Sequence, residues 1–280
     1  MLPATYEIIR RIVQDQTGIV LGEGKDALVR ARVLPIARAH GMRTVDELCA
    51  RLTRDRLLQE EVIEAMTTNE TMFFRDRSPF DALERVVLPK VIERNRDSRR
   101  LSIWSSACST GQEPYSIAIL LHERFPDLAG WDVQILATDL SRKVLDRARD
   151  GRYRRVEVGR GLNPDQLVTY FDEQHDLWTI RSHLRQRVQF RYHNLTAPWP
   201  RLPRFDVVFL RNVLIYFSPE VKAQVLDRTW AQMNEGGFLF LGASETPPTN
   251  ALGWRRVPAP RSGCYERLPT QERPYSMPVR

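Results

Sequence analysis

The segment Ile103 to Ala118, IWSSACSTGQEPYSIA, limits the possible folds more than any other stretch of the chain. It opens as a buried strand, passes through small residues ending in Gly111, and continues with the composition of a helix. Strand, tight turn and helix N-terminus in that order form the place where open α/β sheets hold nucleotide-like ligands, because backbone N–H groups converge there. Glu113 lies just past the turn. A carboxylate at that point repels phosphate and suits a cationic or hydroxyl-rich ligand.

The strand–helix alternation repeats downstream of this segment. Val133–Thr138 reads as a second strand ending at Asp139, and Ser141–Asp150 as the next helix. Val188–Tyr192 and the fully apolar-ended Phe205–Leu210 read as further strands, the latter central and parallel. Ser218-Pro219 opens a helix expected to run to Asn234 and to stop at Gly236-Gly237, with a strand at Phe238–Leu241. Leu252–Val257 and Cys264–Leu268 look like a closing antiparallel pair. Residues 152–187 interrupt the rhythm with a short helix (Asn163–Phe171) and a strand-like Leu177–Ile180, and read as a small insertion. The expected class is a doubly wound α/β sheet.

Residues 3–66 carry helical spacing throughout, beginning with Tyr6, Ile9 and Ile12/Val13. Gly22 and Gly24 break the first helix from a basic second one at 25–40, which Pro35 is expected to interrupt or bend. Thr44 and Glu47 make a capping box for a third helix, and a fourth runs from Asp55 to Met66. Ser78-Pro79 starts a long helix to about Asn95, with Pro89 inside it as a kink site. The divisions expected are a helical domain at 1–66, a linker at 67–80, the main domain at 81–268 and a disordered tail at 269–280.

Composition excludes several classes. The N-terminus mixes charge into its apolar residues and no later run reaches membrane-spanning length, so neither a signal peptide nor membrane insertion is expected. Cys49, Cys108 and Cys264 are odd in number and far apart, which argues for a reducing cytosol and against a disulfide framework or zinc site. The net charge of +7 admits nucleic acid, membrane or an acidic protein as partner. Lys25, Arg30, Arg32, Arg38 and Arg43 face only Asp26 within residues 25–43, and residues 142–160 form a second basic cluster. His40 follows the first cluster as part of its surface; His122, His175, His183 and His193 have no ligand spacing, and no metal is expected.

Asp139 follows Gly111 by 28 residues, the placement of an acid that hydrogen-bonds ribose hydroxyls; the other reading is a cap for the helix beginning near Ser141. No G-x-G-x-x-G accompanies Gly111, which counts against a dinucleotide whose pyrophosphate needs close backbone approach. A phosphate-free nucleoside such as S-adenosylmethionine (SAM) fits better. Thr67–Asp76 is dense in hydrogen-bonding groups; Phe73 and Phe74 read as core, which leaves Asn69, Thr71 and Arg75 to explain. Arg211 and Asn212 directly follow a buried strand, where polar groups need partners and a ligand can be one. Phe217 reads as core, while Tyr216 is open between core and site.

Five blocks taken together resemble the CheR family of chemotaxis receptor methyltransferases: TNETMFFR (68–75), ACSTGQEPYS (107–116), ATDLS (137–141), RNVLIYF (211–217) and GGFLFLGASE (236–245). The resemblance implies an all-helical N-terminal domain and a Rossmann-like SAM methyltransferase domain with a small inserted β-subdomain. It implies methyl transfer to glutamate side chains on cytoplasmic receptor signalling helices, with S-adenosylhomocysteine as product. By the same matching, Asn69, Thr71, Arg75, Glu113, Asp139, Asn194, Leu195, Asn212 and Val213 contact the cofactor, and Arg75 and Tyr216 lie nearest the transfer point. The basic helix then becomes the receptor-docking element through Lys25, Arg30, Arg32 and Arg38.

The chemistry suits this inventory. A glutamate side chain, with a pKa of about 4.3, is already a carboxylate at neutral pH and needs no general base. Some members of the family grip a receptor C-terminal pentapeptide with an extended glycine-containing loop; here Phe171–Trp178 is short and glycine-free, so a pentapeptide-independent enzyme is expected, and a monomer is the default expectation. Two other readings stand beside this one. A non-catalytic docking or sensing module is one. A nucleic-acid methyltransferase is the other, disfavoured because Arg211–Leu214 lacks the proline-containing motif of amino-methylating DNA enzymes and no basic-aromatic stacking surface is evident.

Overall fold

The computed structural model describes residues 1–247 and 253–269. Beyond residue 269 the expected tail lies outside the described residues, as does Leu252 in the expected penultimate strand. Internal contacts divide the chain into two units. Met1–Thr68, Asn194–Trp199 and Tyr216–Lys222 form one, and the remainder forms the other.

In the first unit, helices α1 (Pro3–Thr17), α2 (Asp26–Ala39), α3 (Val45–Leu52) and α4 (Arg56–Met66) bury one stripe each. Ile9, Val13, Val29, Val33, Leu48, Leu52 and Val62 are fully enclosed together. Each such side chain contributes about 1.5–3 kcal/mol of transfer free energy before chain entropy is set against it. Pro35 does not interrupt α2, which continues to Ala39. Thr44 caps α3 as expected: its Oγ1 accepts from Glu47 N at 3.1 Å, and Glu47 reaches back to accept from Arg43 N at 2.9 Å. Gly18 ends α1 at φ +73°, and a Cβ there would lie 2.5 Å from Thr196 Cγ2. Only glycine suits both the backbone angle and that approach.

The second unit opens with α5 (Ser78–Ala82), a wider π turn at Leu83–Val87, and α6 (Leu88–Arg94). The wide turn falls directly before Pro89, whose missing N–H and bulky ring a regular turn does not accommodate. Strands β1 (Arg100–Ser106) and β2 (Asp132–Asp139) alternate with helices α7 (Gln112–Arg124) and α8 (Arg142–Asp150). A small antiparallel sheet comes next, with β3 (Arg152–Arg154), α9 (Arg155–Val158), α10 (Pro164–Tyr170), β4 (Phe171–Gln174) and β5 (Leu177–Ile180). The chain then returns through α11 (Ser182–Arg185), β6 (Val188–Tyr192), β7 (Phe205–Leu210), α12 (Pro219–Ala231), β8 (Met233–Leu241), β9 (Trp254–Arg256) and β10 (Cys264–Arg267).

The main sheet has the order β6-β2-β1-β7-β8-β10-β9, and the three inserted strands the order β3-β5-β4. Strands β6, β2, β1, β7 and β8 run parallel, while β10 pairs antiparallel to both β8 and β9. The chain moves from β1 to β2 on one side and reaches β7 on the other. The carboxyl end of β1 is therefore the switch point where such sheets open a crevice. Every residue of β7 is buried, and Phe209 stacks on Phe240 with ring centroids 4.5 Å apart.

A second expectation is corrected besides the one at Pro35. The helix expected to reach Asn234 ends at Ala231, and Gly236-Gly237 lies inside β8 instead of terminating a helix. The pairing shifts register between Phe205, opposite Met233, and Val207, opposite Phe238. Gly236 sits there at φ +64°. The two glycines build a bulge, for which a left-handed residue serves as well as it serves a helix stop.

Candidate cofactor and methyl-transfer site

The turn between β1 and α7 is shaped by left-handed residues at alternate positions: Ala107 at φ +54°, Ser109 at +51° and Gly111 at +93°. Gly111 was foreseeable. The other two were not, because alanine and serine rarely adopt this region unless the surroundings impose it. Here they do. Cys108 N donates to Thr138 O at 3.0 Å, and Tyr153 Oη donates to Thr110 O at 2.8 Å. A Cβ on Gly111 would stand 3.0 Å from Ala148 Cβ and 3.2 Å from Tyr153 Oη. The turn is thus closed from behind by α8 and the inserted sheet.

Asp139, at the end of β2, is buried, and its two carboxylate oxygens accept from Ser109 N at 2.8 Å and Ser141 N at 2.9 Å. It ties the cofactor turn to the start of α8. The cap proper on α8 is Ser141, whose Oγ accepts from Val144 N. Thus Asp139 has a definite structural task, tying the two turns together, whatever else it contacts.

Glu113 does not stand alone. Its Oε1 accepts from Ser105 Oγ at 2.8 Å, and its Oε2 accepts from Arg211 Nη1 at 2.9 Å. Arg211 Nη2 donates to Asp76 Oδ2 at 2.7 Å and to the carbonyl of Arg75 at 3.1 Å. The Arg211 side chain is only 1% exposed, against 12% for Glu113 and 40% for Asp76. Burial pushes the Glu113 carboxyl up, while Arg211, Ser105 and then Arg75 oppose it. The polar residue expected to meet a ligand after β7 is therefore the enclosed clamp of a three-charge cluster that opens to solvent at Asp76. Two carboxylates share one guanidinium, which leaves a net negative charge that attracts a further cation.

The stretch before α5 is laced down at several points. Asn69 O accepts from Ser109 Oγ at 2.8 Å, Phe74 N donates to Ser116 Oγ at 2.9 Å, and the Arg75 carbonyl meets Arg211. Phe73 and Phe74 are core, as expected. Arg75 donates through Nη1 to Glu70 O at 2.9 Å. The segment after β7 is fixed by a residue whose role had no signal in the sequence beyond its place in the last block. Buried Glu245 accepts from Asn212 N and Gly242 N, each at 2.7 Å, and from Ile215 N at 3.2 Å. Asn212 is held at φ +58° by this grip.

Asn69, Thr71, Arg75, Glu113, Asp139, Asn212 and Val213 thus lie in the second unit, where hydrogen bonds tie Asn69, Arg75, Glu113 and Asp139 to the carboxyl ends of β1, β2 and β7 or the turns that follow them, and Asn212 follows β7 directly. Asn194, Leu195 and Tyr216 group with the first unit. Both ends of the Asn194 amide are engaged there, with Nδ2 donating to Gln16 O and Oδ1 accepting from Thr196 N and Oγ1. The Tyr216 carbonyl accepts from Val20 N. Of the four basic docking candidates, Lys25, Arg30 and Arg38 are exposed; Arg32 is half-buried and engaged with the end of α4.

The donor set fits SAM. Buried carboxylates at the switch point suit an ammonium, a sulfonium and ribose hydroxyls, and Ser106 Oγ and Arg211 Nε are buried without a protein partner. No lysine and no glycine-rich N–H cradle for phosphate stands in residues 105–113. Among the described residues, no group of three or more His, Cys, Asp or Glu is placed to hold a metal, and no helix is long and apolar enough to cross a membrane.

Comparison with known proteins agrees with this chemistry. The family described as "CheR methyltransferase, SAM binding domain" matches residues 69–261, and "CheR methyltransferase, all-alpha domain" matches residues 4–67. Chemotaxis protein methyltransferase 1 of Pseudomonas aeruginosa is 44% identical, covering 86% of this chain and 90% of its own length. Chemotaxis protein methyltransferase Cher2 of Pseudomonas putida is 42% identical over 86% and 89%. A chemotaxis protein methyltransferase of Vibrio parahaemolyticus is 40% identical over 86% and 88%. The helical unit, the switch-point carboxylates and these matches lead to one conclusion: the chain belongs to the CheR methyltransferase family, with an all-α N-terminal domain and a SAM-binding methyltransferase domain.

Proposed function

We propose that the protein methylates glutamate side chains on the cytoplasmic helices of chemotaxis receptors, forming methyl esters. The observation that carries this reading is the Glu113–Arg211–Asp76 cluster: two carboxylates are paired on one enclosed guanidinium at the switch point, with no histidine in it. Such a site binds and orients. It does not shuttle protons, and a nucleophile that is already a carboxylate asks for no more.

Bound SAM supplies an electrophilic methyl on a good sulfonium leaving group. Glu113 holds the cationic part of the cofactor, and Asp139 adds the ribose hydroxyls to its two backbone bonds. Asn69, Thr71, Asn212, Val213, Asn194 and Leu195 complete the contacts. Arg75 orients the incoming carboxylate by a paired hydrogen bond, and Tyr216 bounds the transfer point. Arg75 must hold this carboxylate loosely, since its charge disappears on esterification. Loss of water from the carboxylate raises its nucleophilicity at the same time.

The receptor docks through the exposed cations Lys25, Arg30 and Arg38 of the α2 region, where long-range attraction to receptor carboxylates raises the encounter rate. The β4–β5 hairpin turns through His175 and Asp176 alone, at φ +51° and +60°. That two-residue turn leaves no extended loop, which supports a pentapeptide-independent enzyme; micromolar binding of the pentapeptide in a titration would refute it. The reading places the enzyme in the cytoplasm as a monomer, with sedimentation to check the latter.

The decisive experiment uses tritiated SAM with receptor-containing membranes. Label on the receptor that base releases as methanol supports glutamate esterification. Base-stable label, label on nucleic acid, or none at all rejects it in favour of another methyl acceptor or a non-catalytic module.

A further inference from the structure

We infer that Arg32 is a positioning residue for the cofactor-binding linker and not a receptor contact. Helix α4 ends at Met66, and its last carbonyls have no partner within the helix. Arg32 reaches across from α2 and fills that role. Its Nη1 donates to the carbonyls of Met66 and Thr67, each at 3.0 Å, and more weakly to Ala65 at 3.4 Å. Its Nη2 lies 3.4 Å from Thr68 Oγ1. A guanidinium at a helix C-terminus is also favoured by the partial negative charge there.

The geometry at the helix exit gives this clamp a consequence. Thr67 leaves the helix in an extended conformation, φ −66° and ψ 148°, so the direction of the chain is set at the residue whose carbonyl Arg32 holds. Two residues later comes Asn69, whose own carbonyl is held by Ser109 Oγ at 2.8 Å. Residues 66–69 are therefore gripped at successive points, and Asn69 and Thr71 follow from them. Lys25, Arg30 and Arg38 present exposed side chains; Arg32 is half-buried, with its fork facing backbone oxygen.

This role separates from docking because arginine and lysine differ in it. A docking cation acts mainly through its charge, which lysine preserves. A planar fork spanning several carbonyls is one that a single ammonium does not reproduce. The inference rests on the assignment of Asn69 and Thr71 to the cofactor, and the test keeps the two apart.

The experiment is calorimetric titration of the full-length protein with S-adenosylhomocysteine, together with kcat and KM for receptor, in Arg32→Lys, Thr68→Val and Asn69→Ala. Arg32→Lys is expected to weaken S-adenosylhomocysteine by about tenfold, with receptor KM within about twofold of wild type. Thr68→Val leaves the helix end and the charge intact and is expected to weaken the ligand about twofold. Wild-type ligand affinity in Arg32→Lys, or a raised receptor KM with unchanged ligand affinity, overturns the role of Arg32. Wild-type affinity in Asn69→Ala overturns the linker assignment itself.

Discussion

Arg211 and the arginines of α2 are the same residue type in opposite surroundings. Arg211 is enclosed, with two carboxylates and a carbonyl on its fork; Arg30 and Arg38 stand in water. In the low dielectric of the switch point, a charge is worth several times what it is worth at the surface, and leaving it or its partner unpaired is correspondingly costly. At the surface, a charge acts at a distance and salt weakens it. Arginine count therefore says little about role, and burial says most of it.

The largest expected effect comes from removing the enclosed member. Arg211→Ala leaves Glu113 desolvated without its guanidinium partner, while the exposed Asp76 returns to solvent, and is expected to lower stability by about 3 kcal/mol and to abolish methyl transfer. Urea unfolding and S-adenosylhomocysteine titration check this. Near-native stability with near-native binding would break the comparison outright.

A gentler probe acts on backbone beside that cluster. A Cβ on Gly242 would lie 2.7 Å from both Asn212 Nδ2 and Glu245 Oε2. Gly242→Ala is expected to displace Asn212 and cut kcat/KM by about tenfold to a hundredfold while the far-UV spectrum stays native. Steady-state kinetics give the answer, and unchanged kcat/KM would show that the grip of Glu245 on Asn212 does not matter for turnover.

Burial acts on a third group in the same way. His193 lies under Trp104, with ring centroids 5.7 Å apart, and desolvation, helped by the Arg228 charge, lowers its pKa to about 4. The unfolded chain then binds the extra proton first, so native stability is complete above the unfolded pKa of about 6.5 and declines as pH falls from there towards 4. Denaturant midpoints at pH 7.5, 5.5 and 4.5 should decrease in that order. His193→Gln should flatten the decline, and an undiminished slope in that variant would assign it to other groups.

The smallest effect belongs to the exposed side of the comparison. Arg30→Glu with Arg38→Glu is expected to lower receptor methylation several-fold at low ionic strength and to change little at high salt, with cofactor affinity intact. Equal loss of both functions would mean that these residues support the fold and not the encounter.

Much of this was readable in order along the chain. The alternation of apolar strands with helical segments was plain from Leu101 onwards. Gly111 announced its turn, and Thr44 with Glu47 announced theirs. These signals are local: each depends on the spacing or backbone freedom of neighbouring residues. Gly236-Gly237 misled for the same reason, because a left-handed glycine ends a helix or makes a bulge with equal ease, and only the pairing of β8 with β7 distinguishes them.

By itself, then, the sequence determined the strand–turn–helix at residues 103–118, the absence of a phosphate-binding glycine pattern, and the family. Tertiary structure alone decided what the charges do. Arg211 joins Glu113 and Asp76 across 98 and 135 residues of chain, and Glu245 holds Asn212 from 33 residues away. Electrostatic partnership depends on distance in space and on exclusion of water, and neither is written in the spacing of letters.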